Sequence, residues 1–195
     1  MTVVPVKPVA WPSFGNALTR WFGRTALKLL GWRIIGQLPE RNKMIMAVAP
    51  HTSNWDFFMG VFALFGIGAR LYWIGKHTIF RWPVKSLLLG LGGIPVNRNA
   101  TQGIVEQLVS RFQKSDYLVL VMTPEGTRKK VKKLKTGFLR IAAEAGVPIL
   151  LVGFDFAKKQ IQIGELFEPT GNIDRDETFI HDYFRQFTGK RPDQY

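Results

Sequence analysis

Short apolar runs alternate with helix-length amphipathic stretches along most of this chain, and that alternation constrains its fold more than any other feature. The runs at 44–49, 71–75, 93–96, 117–122 and 147–154 read as strands, and 161–163 as an edge strand. Between and after them, 54–66, 84–91, 102–114, 134–145 and 177–188 read as helices. Such a rhythm predicts an α/β fold, a single domain whose central, mostly parallel sheet is flanked by helices. With 195 residues, no repeat and no low-complexity tract, one domain burying a sizeable core is expected. In open α/β sheets ligands bind beyond the carboxyl ends of the strands. The polar clusters of this chain fall there: HTSNWD at 51–56, NRN at 97–99 and TPEGTR at 123–128.

Several chemistries are excluded at once. The absence of cysteine removes disulfide scaffolds, thiolate zinc sites and a cysteine nucleophile. Three histidines leave little for a His-rich metal site, and neither metal-ligand spacing nor a Gly-rich phosphate loop is present. The net charge of +13 calls for an anionic partner: nucleic acid, a membrane surface or a phosphorylated ligand. That charge is uneven. Residues 1–150 carry 21 Lys and Arg against 6 Asp and Glu, whereas 151–195 carry 6 against 8, so the first three quarters of the chain should face the anion.

The longest uncharged apolar run, 57–69, has thirteen residues and ends at Arg70, well short of the roughly 20 a spanning helix needs. Prolines interrupt the first fifteen residues, where a signal peptide needs an unbroken apolar stretch, so neither secretion nor integral insertion is expected. The segment 14–32 differs. Wound as a helix, Phe14, Leu18, Trp21, Phe22, Thr25, Leu29 and Trp32 share one arc, with Arg20, Arg24 and Lys28 stacked beside it. This is the pattern of a basic amphipathic helix lying in an anionic membrane interface. It is also the pattern of a helix packed on a core with a solvated basic stripe. Six Trp and fifteen Phe tip the balance toward lipid. The chain accordingly divides into an N-terminal interfacial helix region, 1–35, and a main domain, 36–195.

His51 stands at a strand end with Asp56 five positions on, in the first turn of a helix. Across the turn, Asp56 can accept from one ring nitrogen and leave the other to take a proton. The same hexapeptide is a capping-box pattern, Ser53-x-x-Asp56, in which His51 is a bystander. TPEGTR offers a turn with exposed N–H groups and the planar fork of Arg128, suited to phosphate, but reads equally as an ordinary turn with Glu125 paired to a cation. GGIPVNR, 92–98, ends another turn in Arg. Six cations crowd 128–135, where they could meet lipid headgroups, nucleotide phosphates, an acidic carrier protein, or only water. His77 and His181 have no arguable partner and read as structural.

Taken in order, His51-x4-Asp56, GGIPVNR, TPEGTR and Val147-Pro-Ile-Leu-Leu-Val152 resemble the lysophospholipid/glycerol-phosphate acyltransferase family over roughly residues 30–170. In particular, HTSNWDF at 51–57 and IGKHTIF at 74–80 are similar to a short bacterial branch. The resemblance implies transfer of a fatty acyl group from acyl-CoA or acyl-carrier protein, as co-substrate, to a lysophospholipid hydroxyl, with no further cofactor and no metal. It implies His51 as general base and Asp56 as its orienting partner. Asn97 and Arg98 of the second motif would bind the acceptor, Arg98 at its phosphate. Thr123, Pro124, Glu125, Gly126, Thr127 and Arg128 of the third would bind the same phosphate and shape the site. Pro148 opens the fourth, an apolar strand associated with the acyl chain or donor. Thr123 stands where the family usually has Phe, Asn97 where Asp is common, and Leu151 where a second proline is frequent.

The implied partners are an anionic membrane surface, the lysophospholipid and the acyl donor, with no nucleic acid, and the implied place is the cytoplasmic face of the cell membrane, held peripherally or monotopically. Two other readings use the same residues: an acyl-CoA thioesterase in which the dyad activates water, and a non-catalytic basic membrane-binding module.

Overall fold

The computed structural model describes residues 4–97 and 103–194. Asn16 opens the first helix, α1 (Ala17–Leu29), with a reciprocal cap: its side chain accepts from Thr19 N–H while the Thr19 hydroxyl accepts from Asn16 N–H. The chain continues through β1 (Arg33–Ile35), β2 (Lys43–Ala49), α2 (Trp55–Ile67), β3 (Tyr72–Lys76), α3 (Lys85–Gly90), β4 (Gly93–Val96) and α4 (Ile104–Lys114). It closes with β5 (Leu118–Met122), α5 (Gly137–Ala145), β6 (Ile149–Asp155), β7 (Gln160–Phe167) and α6 (Ile173–Phe184).

The strands form one sheet in the order β1-β7-β6-β2-β5-β3-β4, parallel throughout except for the antiparallel β6/β7 pair. β2, central and buried from Met44 to Ala49, has the unbroken apolar character of a strand covered on both faces. Its side chains alternate between two cores. Ile45, Ala47 and Ala49 meet α4, α5 and α6, whereas Met44, Met46 and Val48 meet Trp11, Leu27 and Met59 on the α1/α2 side. The fold class read from the alternation is the one found.

Two readings are corrected. β7 is eight residues long and internal, not an edge strand, because β1 pairs outside it in parallel from Arg33↔Gln160 to Ile35↔Gln162. The last helix runs from Ile173 to Phe184 rather than 177–188, since the Asn172 side chain caps it by accepting from Arg175 N–H.

α1 lies antiparallel on α2, with Arg20 against Gly68 and Gly23 against Phe62 and Gly66. The contact works because Gly23 has no side chain: a Cβ there would sit 2.5 Å from Gly66 N and 2.6 Å from Phe62 O. The buried face of α1 is therefore Gly23 and Leu27. Leu18, Trp21 and Leu29 of the apolar arc point outward, whereas half-exposed Phe22 meets Phe62 and Phe65 of α2 edge-on. Arg24 of the basic stripe donates through Nε to Gly66 O, so part of that stripe holds the helix pair together. Trp32, assigned to the same arc, lies beyond the helix and is buried. Among the described residues no helix is long and apolar enough to cross a membrane.

Candidate active site

Strand order brings the clusters together. β2 and β5 are neighbours, paired in register up to Ala47↔Met122, so the loops leaving their carboxyl ends emerge side by side. One loop carries His51 and the other Glu125, and Glu125 Oε1 accepts from His51 N–H at 2.8 Å.

His51 Nδ1 lies 3.0 Å from Asp56 Oδ2, with the histidine side chain 24% exposed and the aspartate 4%. The same Oδ2 accepts from Ser53 N–H at 2.8 Å, and Ser53 Oγ accepts from Trp55 N–H at 2.9 Å. The two readings of the hexapeptide are thus not alternatives. Asp56 reaches back to the start of the turn as a capping residue does, and the oxygen it places there also engages the imidazole. With Nδ1 committed, Nε2 is the ring nitrogen left to exchange a proton. Two backbone N–H groups at the start of α2 are already engaged within the turn. Trp55 N–H is taken by Ser53 Oγ, and Phe57 N–H points to Asn54 O at 3.2 Å.

Beside the dyad opens a cavity of about 920 Å³, lined largely by apolar side chains. It reaches both faces of the sheet: Met46, Val48 and Phe154 line it on the α1/α2 side, Ile74, Phe138 and Ile141 on the other. Such a passage is possible because β3 last pairs with β5 at Trp73↔Val121 yet follows β4 as far as Lys76↔Val96, so β3 and β5 part at their carboxyl ends. This volume is at the upper end for small-molecule sites, and its walls suit a long apolar chain.

The third cluster divides. Thr123, Gly126, Thr127 and Arg128 line the cavity, together with Lys135, which the sequence did not distinguish from the rest of the basic run. Gly126 has φ +59°, and a Cβ there would come within 2.8 Å of Lys135 Cδ, so the lysine lies directly over the glycine. Pro124 and Glu125 are buried beneath the turn. Asn97 follows edge strand β4, separated from β2 by β5 and β3; Arg98 lies outside the described residues. Pro148 precedes β6 at the end of the sheet away from His51, although Val152 and Phe154 of that strand line the cavity. A contact with no sequence signal comes from the C-terminal segment, where Arg191 N–H donates to the buried Thr52 Oγ1 at 3.1 Å.

Burial pushes the Glu125 carboxyl above its ordinary value of 4.5, and the His51 N–H it accepts offsets only part of this. Oε2 is buried and has no hydrogen-bond partner among the described residues. A carboxyl with a raised folded pKa adds stability that is complete below its unfolded value and is lost as pH rises through the folded one. Glu125→Gln keeps an acceptor for His51 N–H and removes the ionisation, so its urea midpoint should fall less than wild type's as pH rises above the ordinary carboxyl range. Glu125→Ala leaves that N–H without its partner and should cost about 1–3 kcal/mol at any pH. Parallel pH profiles for wild type and Glu125→Gln would show that Glu125 is not the titrating group.

A family model described as Acyltransferase matches residues 33–155. Among solved structures, the crystal structure of the 1-acyl-sn-glycerophosphate (LPA) acyltransferase PlsC from Thermotoga maritima shares the fold, with a TM-score of 0.62 and 21% identity, covering 87% of this chain and 76% of that one. None of the curated proteins matches.

Proposed function

The chain belongs to the acyltransferase family, and from that premise we propose that it moves a fatty acyl group from acyl-CoA or acyl-carrier protein to the hydroxyl of a lysophospholipid such as 1-acylglycerol-3-phosphate. One observation carries the reading: a histidine–aspartate pair opens onto a large apolar cavity whose rim holds Arg128 and Lys135. A neighbour in fold whose name states action on LPA supports the choice of acceptor.

His51 Nε2 takes the proton of the acceptor hydroxyl as its oxygen attacks the thioester carbonyl. Asp56 orients the ring and stabilises the imidazolium, which returns the proton to the departing thiolate when the C–S bond breaks. Arg128 and Lys135, with Arg98 as the resemblance implies, hold the phosphate and so fix which hydroxyl meets His51. The acyl chain occupies the cavity.

We place the enzyme peripherally on the cytoplasmic face of the membrane. The outward arc of α1, with Trp21 62% exposed beside Lys28, has the chemistry of an interfacial helix.

The test is acyl transfer from labelled palmitoyl-CoA to lysophosphatidic acid. Labelled phosphatidic acid is expected. Free palmitate released at the same rate with and without acceptor would point to a thioesterase instead. Vesicle binding that high salt releases, with no transfer to any lysophospholipid from either donor, would leave a basic membrane-binding module.

A further inference from the structure

We infer that the segment after β3, residues 79–87, is a membrane anchor separate from α1 that seats the mouth of the cavity on an anionic lipid surface. The acyl-transfer reading explains why that mouth should face lipid; the docking itself stands on the surface. Residues 81–87 are exposed without a break, Trp82 at 91% and Leu87 at 62%, and α3 has no buried residue. Scattered exposed apolar side chains are ordinary, but Ile79, Trp82, Val84 and Leu87 stand exposed within nine residues.

Charge identifies the partner. Lys76, Arg81 and Lys85 interleave with these side chains, and no Asp or Glu occurs between Asp56 and Glu106. Indole rings settle at the headgroup level of a bilayer, and flanking cations favour anionic lipids. A second copy of the chain is a poor occupant, because +13 on each would repel.

Position links the anchor to the site. β3 runs parallel to β2 through β5, so the chain leaves Lys76 at the end of the sheet where His51 stands. Phe57 meets Trp73 with ring centroids 5.6 Å apart, Trp73 stacks on Phe80 at 5.7 Å, and Ile79 and Leu88 line the cavity. Trp55 and Phe58, exposed on the first turns of α2, extend the apolar surface at that end. An acyl chain could pass from bilayer to cavity without crossing water.

Flotation of the full chain with phosphatidylcholine vesicles, with and without phosphatidylglycerol, tests this. Trp82→Ser with Leu87→Ser, and separately Arg81→Glu with Lys85→Glu, should each weaken binding to the anionic vesicles about tenfold or more. Melting temperature and transfer to a short-chain, freely soluble lysophosphatidate should stay near wild type, within about twofold in rate. Unchanged flotation of both pairs would overturn the anchor. So would equal loss of activity on the soluble acceptor, or a wild-type dimer that the serine pair dissociates. If wild type floats and the pairs do not, while no lysophospholipid is acylated, the anchor stands and the acyl-transfer reading falls.

Discussion

Replacing His51 by alanine should lower acyl transfer by about 10²–10⁴-fold while leaving the KM for the acceptor and the melting temperature close to wild type. The separation of effects follows from the geometry. The imidazole carries the chemistry and one contact to Asp56, whose oxygen keeps Ser53 N–H as a donor. The His51 N–H donated to Glu125 belongs to the backbone, and alanine keeps it. The cavity and the cations at its rim are untouched, so substrate should bind as before and wait for a base that is missing. Purified wild type and variant, assayed side by side for labelled phosphatidic acid, give the answer. Equal product from both would sink the general-base role even if the reaction class survives.

Asp56 should split into two outcomes according to what replaces it. Asp56→Ala removes the acceptor for His51 Nδ1 and for Ser53 N–H together, leaving a buried donor unpaired at a cost of about 1–3 kcal/mol and freeing the ring. Activity should fall about 10²–10⁴-fold, with a lowered melting temperature. Asp56→Asn is gentler here than a triad aspartate would suggest. One oxygen serves both donors, so the amide oxygen can take that position, keep the tautomer and keep the turn. What goes is the charge facing the imidazolium. The asparagine variant should therefore melt near wild type and retain more activity than the alanine one. Equal rates for the two would mean that the carboxylate acts through its charge alone.

The contact between His51 and Asp56 was legible because it is local, a histidine, a turn and a carboxylate within six residues. The roles proposed for the pair come from the family resemblance. Their relation to TPEGTR was not legible, since it depends on β2 and β5 being neighbours, and nothing in the order of strands along a chain states that. Glu125 was expected to meet the acceptor. The structure buries it against the His51 backbone, a contact between residues 74 apart in sequence.

The shifted last helix has a similar cause. Its first buried residues are Asp176 and Glu177, which anchor Thr170 and Leu134 N–H, so its inner face begins polar and the apolar pattern starts a turn late. β1 is three residues, too short for alternation to register. In α1 the arc was visible but not its direction, because a helix that packs through a bare glycine shows a gap where hydrophobic patterning looks for a residue.

The pairing of Ala47 with Met122 has a consequence for how this protein can change over time. His51 follows the first by four positions and Glu125 follows the second by three. One residue more or less after Ala47 would turn Val48 and Ala49 to the opposite faces or displace His51, and one more or less after Met122 would slide Glu125 away from the His51 N–H. Evolution can lengthen the basic loop after Arg128 or trim the tip of the β6–β7 hairpin without disturbing that spacing. In the two short tethers it can exchange residues but cannot change their number, and families that diverge widely in sequence should still agree there on length.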